Sequence, residues 1–226
     1  MALILSLESS ARYCSAALHS DGVCIAEKKS AEERRAAAEL ALACRLVMDQ
    51  AGVQASDLHA VAVASGPGSY TGLRIASSLA KGIVVGLSIP LISVGTLHAI
   101  VRVGMQLDRS EKFDSFCSLL DARRMEIYCQ WFGPDQNELG PISSHVLTAE
   151  SFLDRLESGR VLFIGDAVEK CASVIQHPNA YFQQGEPDAR SVGELAWLKF
   201  QSADFEQVDD FEPMYLKEFL PGRKSG

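Results

Sequence analysis

The spacing of apolar residues at the start of the chain predicts three β-strands. One continuous apolar run covers residues 3–7, and two strand-like runs follow at 13–18 and 23–28. The dipeptide Asp21-Gly22 stands between the second and third runs, and it favours a two-residue hairpin because both positions tolerate positive φ. The chain is therefore predicted to begin with a strand that is followed by a β-hairpin.

A helical repeat comes after these strands. Ser30 and Glu33 have the spacing of a capping box, in which each side chain satisfies a backbone donor at the start of a helix. Apolar residues then recur at helical spacing up to Ala51, and Gly52 offers the left-handed conformation that ends many helices. The pattern predicts one helix over residues 30–51.

Strands and helices alternate through the rest of the chain, and their order is nearly the same in its two halves. The first half is completed by a strand at 59–64, a glycine-rich turn at 66–72, a helix at 71–86, a strand at 91–94 and a helix at 96–106. After a polar link at 108–112, the second half is predicted to contain strands at 116–120, 126–132 and 144–147, a helix from 149, a strand at 161–164, and helices at 167–175 and 192–200.

This order is a duplicated β-β-β-α-β-α unit, which is the order of the actin-like and RNase H-like folds. The sequence therefore predicts an α/β protein with two lobes, residues 1–108 and 109–226. The two halves share no visible sequence similarity, so the duplication is inferred from element order alone.

The helix predicted at 71–86 is rich in small residues. Ser78, Gly82 and Gly86 lie four apart and form one ridge along it. Glycine inside a helix costs about 1 kcal/mol relative to alanine, so close packing is expected to compensate. We expect that packing to be inside the chain, with a partner helix as the alternative.

The glycine-rich turn before this helix allows three interpretations. A P-loop is excluded, because five residues separate Gly66 from Gly72 and Leu73 stands where the lysine is required. A dinucleotide-binding turn is disfavoured, because such folds usually carry an acidic residue about 20 positions further on and residues 58–107 contain none. The third interpretation is structural, with glycines for close packing and Ser69 or Thr71 capping the helix.

Composition and charge restrict the function. The chain has 226 residues, 47% hydrophobic and 22% charged, with a net charge of −8 and a pI near 5.1. An acidic protein is not expected to hold a nucleic acid by its phosphates, so a partner chain would make most of any RNA contact. The segment 58–107 contains no acidic residue but carries Arg74, Lys81 and Arg102. It is interpreted either as a positive stretch that binds an acidic partner surface or a phosphate, or as a largely buried strand-helix-strand unit.

The apolar N-terminal run is too short for a signal peptide, and no segment is long enough to span a bilayer. The six cysteines show no Cys-x-x-Cys spacing. Reduced thiols in a cytoplasmic protein are therefore expected.

Candidate catalytic groups are sparse. The five histidines are never closer than 32 residues apart, so a local zinc motif is excluded. The turn Glu8-Ser9-Ser10 follows the first strand, where actin-like ATPases approach phosphate, but no glycine accompanies it before Gly22. The segment 121–124, Asp-Ala-Arg-Arg, is read as a solvated hairpin turn or as a pair of arginines that faces a cleft.

Residues 66–75, Gly-Pro-Gly-Ser-Tyr-Thr-Gly-Leu-Arg-Ile, resemble the signature of the TsaB (YeaZ) family. Further resemblances lie at 5–10, 14–18, 80–82, 89–91, 94–97, 121–128, 163–166 and 213–217. The central motif is long and specific, whereas each C-terminal one is weak by itself.

The resemblance implies an actin-like fold and a non-catalytic subunit of the complex that forms N6-threonylcarbamoyladenosine at position 37 of tRNA. Such a subunit pairs through helices of its N-terminal lobe with TsaD, the metal-bearing catalytic subunit, and the pair also engages the ATPase TsaE. The family forms homodimers through an overlapping surface. The resemblance implies no cofactor, metal or catalytic residue in this chain, and contact with tRNA through the complex.

The residues that we expect to form the partner interface are Gly66, Pro67, Gly68, Ser69, Thr71, Gly72, Arg74, Ser78, Gly82 and Gly86. The alternative is an actin-like nucleotide-binding ATPase or phosphotransferase that acts alone and uses the turn at Glu8.

Overall fold

The computed structural model describes residues 1–33, 35–107 and 112–216 of the chain. Its first half contains strands β1 (Leu3–Glu8), β2 (Ser15–Ser20), β3 (Val23–Lys29), β4 (Ala60–Ala64) and β5 (Leu91–Val94), with helices α1 (Ala36–Ala51), α2 (Tyr70–Leu87) and α3 (Thr96–Leu107). Its second half contains β6 (Ser115–Asp121), β7 (Glu126–Phe132), β8 (Ser143–Val146), β9 (Val161–Gly165) and β10 (Ala180–Gln184), with α4 (Leu153–Ser158), α5 (Val168–Ala172) and α6 (Ala189–Gln201).

The two halves build the same sheet twice. The strand orders are β3-β2-β1-β4-β5 and β8-β7-β6-β9-β10. In each sheet the first three strands form an antiparallel meander, and the last two run parallel to the first strand. The predicted duplication of a two-lobed α/β fold is confirmed, and each unit continues with one further strand and helix.

Both faces of the first sheet are buried, because alternate residues of its strands enter different cores. Leu5 and Leu7 of β1 pack into a core that includes residues of α1 and α2. Ile4, between them in the pleat, joins a second core that includes Val192 and Leu195 of α6. Helices therefore cover the first sheet on both sides.

The last helix of each half packs against the sheet of the other half. α6 lies against β1 and β2, and α3 lies against β6, β7 and β9. Leu97 and Ile100 of α3 are buried together with Phe116 and Leu162 of the second sheet. The boundary at residue 108 stays a prediction about domains, since each sheet is completed by a helix from across that boundary.

Two local predictions in the first half are confirmed. Asp21 and Gly22 connect β2 to β3 with φ values of 47° and 82°. Gly52 ends α1 in the left-handed conformation, with φ at 66°. Both positions carry the residues that their backbone geometry favours.

The capping box at Ser30 is wrong. The hydroxyl of Ser30 accepts the backbone N–H of Cys14, 3.2 Å away, and donates to the carbonyl of Glu32. α1 begins at Ala36, because the side chain that was expected to cap it is held at the end of the β2–β3 hairpin. The predicted helix over 30–51 was therefore six residues too long at its start.

Other differences are smaller. β10 was not predicted, and its residues are mostly half-buried with no clear alternation. Residues 108–111 of the predicted polar link, and residue 217 of the last family resemblance, lie outside the described residues. Among the helices that the structure describes, none is long and apolar enough to cross a membrane.

Candidate partner interface

The glycine-rich turn after β4 packs directly on the turn after β1. β1 and β4 are parallel neighbours, so their carboxyl ends lie side by side. The N–H of Ser69 donates to the carbonyl of Ser10 at 2.7 Å. A Cβ on Gly68 would lie 2.5 Å from that same oxygen, and one on Gly72 would overlap the carbonyl oxygen of Ser9. These two glycines are required by close backbone packing.

Gly66 faces the C-terminal part of the chain. Its φ is +107°, and a Cβ there would lie 2.6 Å from the carbonyl oxygen of Met214. The N–H of Met214 donates to the carbonyl of Ser65 at 2.7 Å, and the N–H of Thr96 donates to the carbonyl of Gly66 at 2.9 Å. The C-terminal segment therefore crosses the glycine-rich turn. Pro67, which belongs to this turn, is buried.

The structural interpretation of the turn is confirmed. The side chain of Ser69 accepts the N–H of Gly72 at 3.3 Å and caps α2, whereas Thr71 is exposed. The carbonyl oxygens of Ser9 and Ser10 lie against the turn, where Cβ atoms on Gly72 and Gly68 would otherwise be. Of the ten predicted interface residues, Gly66, Pro67 and Gly72 are buried inside the molecule, whereas Gly68 is exposed to solvent on one side and packs on the backbone of Ser10 with the other.

Five of the predicted residues form one exposed line on α2. We call this line the α2 stripe, and its residues are Thr71, Arg74, Ser78, Gly82 and Gly86. A Cβ at Gly82 or Gly86 would meet no atom of the described residues within 4 Å. The expectation that this ridge packs inside the chain is wrong, because α2 buries its opposite side through Leu73, Ala76, Ala80 and Val84.

Exposed apolar side chains accompany the stripe. Val85 of α2 is 66% exposed, and Leu42 of the neighbouring α1 is 54% exposed. Leu46 lies one turn beyond Leu42 on the same face of α1 and is also exposed. Small residues beside exposed leucine and valine make a face on which another helix could pack closely.

A cluster of aromatic rings holds Arg74 at one end of the stripe. The guanidinium carbon of Arg74 lies 4.4 Å from the ring centre of Tyr70 and 5.9 Å from that of Tyr215. The two rings are 4.8 Å apart. A hydrogen bond with Tyr215 raises the pKa of Arg74 above its ordinary value. No local pattern in the sequence indicates this cluster, because Tyr215 is more than 140 residues from Tyr70 and Arg74.

Glu8 is sealed beneath the turn. Its Oε1 accepts the backbone N–H of Ser10 at 2.5 Å and the hydroxyl of Ser10 at 2.6 Å. Its Oε2 is buried with no hydrogen-bond partner among the described residues. Burial raises the pKa of Glu8 from 4.5 to about 7, against the lowering effect of the Ser10 hydrogen bonds. The group is a carboxyl that favours its neutral form and that solvent does not reach.

The corresponding strand end in the second half is open. Oδ1 of Asp121 accepts hydrogen bonds from the ammonium group of Lys170 and from the backbone N–H of Arg123, each with a donor–acceptor distance of 2.6 Å. Arg123 and Arg124 are exposed at the tip of the β6–β7 hairpin, with φ values of 73° and 51°. This arrangement fits the interpretation of residues 121–124 as a solvated hairpin turn.

No group of three or more His, Cys, Asp or Glu side chains is placed to hold a metal ion in the described part of the chain. His19 packs against α6, and His98 lies beside Phe132.

Comparisons with known proteins give a consistent relationship. The family model for TsaD, tRNA N6-adenosine threonylcarbamoyltransferase, matches residues 30–140. The tRNA threonylcarbamoyladenosine biosynthesis protein TsaB of Escherichia coli (strain K12) is 25% identical over 98% of this chain and 97% of that protein. The tRNA N6-adenosine threonylcarbamoyltransferase of Nitratidesulfovibrio vulgaris (strain DP4) is 38% identical, over 37% of this chain and 23% of that protein.

A solved structure agrees with the fold. YeaZ from Pseudomonas aeruginosa superposes with a TM-score of 0.83 at 24% identity, covering 96% of this chain and 100% of that chain. The duplicated, two-lobed α/β architecture is the actin-like fold.

Proposed function

The chain belongs to the TsaB (YeaZ) family, and we propose that it is a non-catalytic subunit of the complex that forms N6-threonylcarbamoyladenosine at position 37 of tRNA. In this role it binds and stabilises a TsaD-like catalytic subunit. Its relatives in Escherichia coli and Haemophilus influenzae are named as tRNA threonylcarbamoyladenosine biosynthesis proteins, so the pathway is that of the family.

The observation that carries the proposal is the exposed α2 stripe. Glycine at an exposed helix position costs about 1 kcal/mol relative to alanine, and no described residue packs within 4 Å of where a Cβ on Gly82 or Gly86 would lie to compensate for it. A partner helix that approaches the stripe would gain backbone contact that larger side chains prevent. The exposed Leu42 and Val85 add apolar area to the same surface.

A TsaD-like subunit suits this surface because it resembles this chain where the surface lies. The TsaD family model matches residues 30–140, which include α1 and α2. Two related proteins can pair through equivalent helices about an approximate two-fold axis, as two copies of one protein do about an exact axis. We propose that the same face forms a homodimer when the chain is alone, and that the heteromer replaces it.

The remaining partners follow from the same role. We propose that a TsaE-like ATPase engages the assembled pair and that tRNA is held mainly by the other subunits, because this chain has a net charge of −8. The role also places the chain in the cytoplasm, where tRNA is modified.

An ATPase or phosphotransferase that acts alone is the second candidate. The position of Glu8-Ser9-Ser10 at the carboxyl end of β1 favours it, because actin-like nucleotide enzymes approach phosphate there. The burial of all three side chains beneath Gly68 and Gly72 argues against it, since a nucleotide would have to displace this packing. ATP turnover by the purified chain that is lost in Glu8→Gln would favour this candidate.

Reconstitution tests the proposal. Modification of tRNA is measured with the cognate TsaD-like and TsaE-like proteins and the enzyme that makes threonylcarbamoyl-adenylate, with and without this chain. We expect modification to require the chain, and the chain alone neither to hydrolyse ATP nor to modify tRNA. Equal modification without the chain would overturn the role.

The surface is tested separately with Gly82→Leu. The open space around Gly82 predicts a folded monomer that binds the TsaD-like subunit at least about tenfold more weakly, which corresponds to roughly 1.4 kcal/mol. Gln201→Leu, at an exposed position at the end of α6, is the matched control and should bind normally. A Gly82→Leu monomer that unfolds, or that binds as tightly as the control, would contradict the assignment of the α2 stripe.

A further inference from the structure

A cavity lies between the tip of the β2–β3 hairpin and helices α3 and α6. Its volume is about 430 Å³, within the range of about 300–1,000 Å³ that small-molecule sites occupy. The hairpin contributes residues 22–24 to the lining, α3 contributes Arg102, and α6 contributes four residues that include Arg190 and Trp197. We call it the α6 cavity. Trp197 packs on the α6 side of the first sheet, whereas α2 packs on the other side, so the cavity is separate from the α2 stripe.

Part of the lining is apolar. Val23 and Leu198 are both exposed there, and the indole of Trp197 is half-buried. The indole is held against the hairpin, since a Cβ on Gly22 would lie 2.5 Å from its Cδ1. An aromatic side chain that is already fixed by packing binds a flat apolar group with little further loss of conformational freedom. The cavity therefore suits a ligand with an aromatic body.

The charged part of the lining has an excess of one positive charge. It contains Arg102, Arg190 and the carboxylate of Glu194, whereas Glu27 does not line the cavity. Both arginines are already in ion pairs, because Nε of Arg102 holds Glu194 at 2.7 Å and Nε of Arg190 holds Glu27 at 2.7 Å. A single negative charge on the ligand would balance the lining.

Both arginines keep hydrogen-bond donors in addition to those in the ion pairs. A guanidinium has five N–H donors in a rigid fork, and each ion pair engages only Nε. Nη1 of Arg102 also reaches Oε1 of Gln136 at 3.5 Å, and the Nη atoms of Arg190 have no hydrogen-bond partner among the described residues. The ion pairs orient both forks, so their remaining donors suit a planar carboxylate.

We propose that the α6 cavity binds a small aromatic monocarboxylate, with its carboxylate held by Arg102 and Arg190 and its ring against Trp197. The proposal goes beyond the proposed function and does not depend on any partner subunit. The ligand contacts the hairpin and α3, which belong to the first half of the chain, and α6, which belongs to the second. Binding therefore stabilises the packing of α6 on the first sheet.

Cys24 allows binding to be measured. It lines the cavity and is half-buried, whereas the other five cysteines are buried, so iodoacetamide should alkylate Cys24 alone in the folded chain. Burial raises the pKa of Cys24, so the rate is measured at alkaline pH. The probes are naphthoate and naphthamide, which have the same aromatic body with and without the charge. At equal concentration, naphthoate should slow alkylation at least about tenfold and naphthamide less than about twofold.

Arg190→Gln tests the role of the charge. The side chains of Arg190 and Glu27 are about half exposed, so loss of their pair costs little stability and the variant should fold. It should bind naphthoate at least about fivefold more weakly. Arg155→Gln is the matched control, because Arg155 also lies beside a tryptophan, 5.1 Å from the ring centre of Trp131, but on the second sheet. It should be protected like the unaltered chain.

Thermal unfolding is the second measurement, and naphthoate should raise the unfolding temperature of the unaltered chain more than naphthamide does. Equal effects of the two compounds in both measurements would show an apolar crevice without anion recognition, and would overturn the proposal. Absence of any effect would overturn it as well, and so would naphthoate binding that Arg190→Gln leaves unchanged. If Arg190→Gln does not fold, the comparison of the two compounds on the unaltered chain decides.

Discussion

The carboxyl groups at the ends of β1 and β6 occupy the same place in the repeated topology and have opposite environments. Glu8 is fully buried, and this burial raises its pKa to about 7. The side chain of Asp121 is 46% exposed. Partial burial of Asp121 opposes ionisation, but the hydrogen bonds from Lys170 and from the N–H of Arg123 outweigh it and lower its pKa.

The difference originates in the neighbouring turn of each sheet. After β4, Gly68 and Gly72 let the backbone close over the end of β1. After β9, Asp166 accepts the N–H of Asp121 at 2.8 Å and leaves its carboxylate to Lys170 and solvent. One topology can therefore yield either a sealed packing surface or a polar turn.

The largest expected effect comes from reopening the sealed turn. Gly72→Val places a side chain on the carbonyl of Ser9, so the turn must separate from the end of β1. Overpacking of this kind costs about 3 kcal/mol or more. The free energy of unfolding, measured by urea titration, should fall by that amount.

The control lies on the same helix. Gly82→Ala adds a methyl group where no atom of the described part of the chain lies within 4 Å, so it should stabilise the monomer by up to about 1 kcal/mol through helix propensity. Equal effects at the two positions would show that Gly72 is not packed as described.

The next effect concerns the pH dependence of stability. Because the pKa of Glu8 rises from 4.5 to about 7 on folding, its contribution to stability is fully present below pH 4.5 and is lost as the pH rises through about 7. The loss amounts to about 3 kcal/mol. Glu8→Gln cannot ionise, so its free energy of unfolding should lack this decline between pH 5 and 8.

Asp121→Asn sharpens the comparison, because the pH dependence of stability that comes from Asp121 has the opposite sign to that from Glu8. The lowered pKa of Asp121 gives a contribution that is present above its ordinary pKa of 3.8 and is lost as the pH falls through the lower value. Removing the pair with Lys170 should cost at most about 1 kcal/mol at pH 7, since the pair is partly exposed.

The outcome that would contradict the Glu8 prediction is a parallel pH dependence. If the free energy of unfolding of Glu8→Gln changes with pH in parallel with that of the unaltered chain, Glu8 is not buried in its neutral state.

The smallest effect concerns the hairpin tips. Asp21-Gly22 and Arg123-Arg124 both adopt positive φ, but only the first tip has a glycine. Arg124→Gly should stabilise the chain by up to about 1 kcal/mol, because it relieves the left-handed conformation of a side chain with a Cβ. The unfolding temperatures of Arg124→Gly and of the opposite change, Gly22→Arg, check this. Gly22→Arg should destabilise the chain by more than Arg124→Gly stabilises it, because Trp197 lies against Gly22.

Local signals in the sequence were sufficient for much of the fold. Asp21-Gly22 and Gly52 each impose a backbone geometry by themselves, and the apolar runs give nearly all of the strands. The capping box failed because the hydroxyl of Ser30 has two competing partners, the N–H of Cys14 as donor and the carbonyl of Glu32 as acceptor. A side chain that has two possible partners cannot be assigned from spacing alone.

The candidate site was predictable only in part, for a related reason. The helical spacing of Ser78, Gly82 and Gly86 establishes that they share one side of α2, but not whether that side faces the chain or solvent. That depends on which elements cover α2, and the C-terminal segment that does so at Tyr215 is distant in sequence. Glycines such as Gly72 and Gly82 look alike in the sequence, although Gly72 is packed inside the molecule and Gly82 is exposed.

The exchange of α3 and α6 between the sheets has a consequence for synthesis on the ribosome. Ile4 and Ala62 are covered by Val192 and Leu195 of α6. This face of the first sheet therefore has no helix over it until nearly the whole chain has been made. The N-terminal half therefore leaves the exit tunnel with an uncovered apolar face, the kind of surface that chaperones bind. Because closing this face requires contacts between residues nearly 190 positions apart, folding should complete only after translation has passed α6, as one late cooperative step.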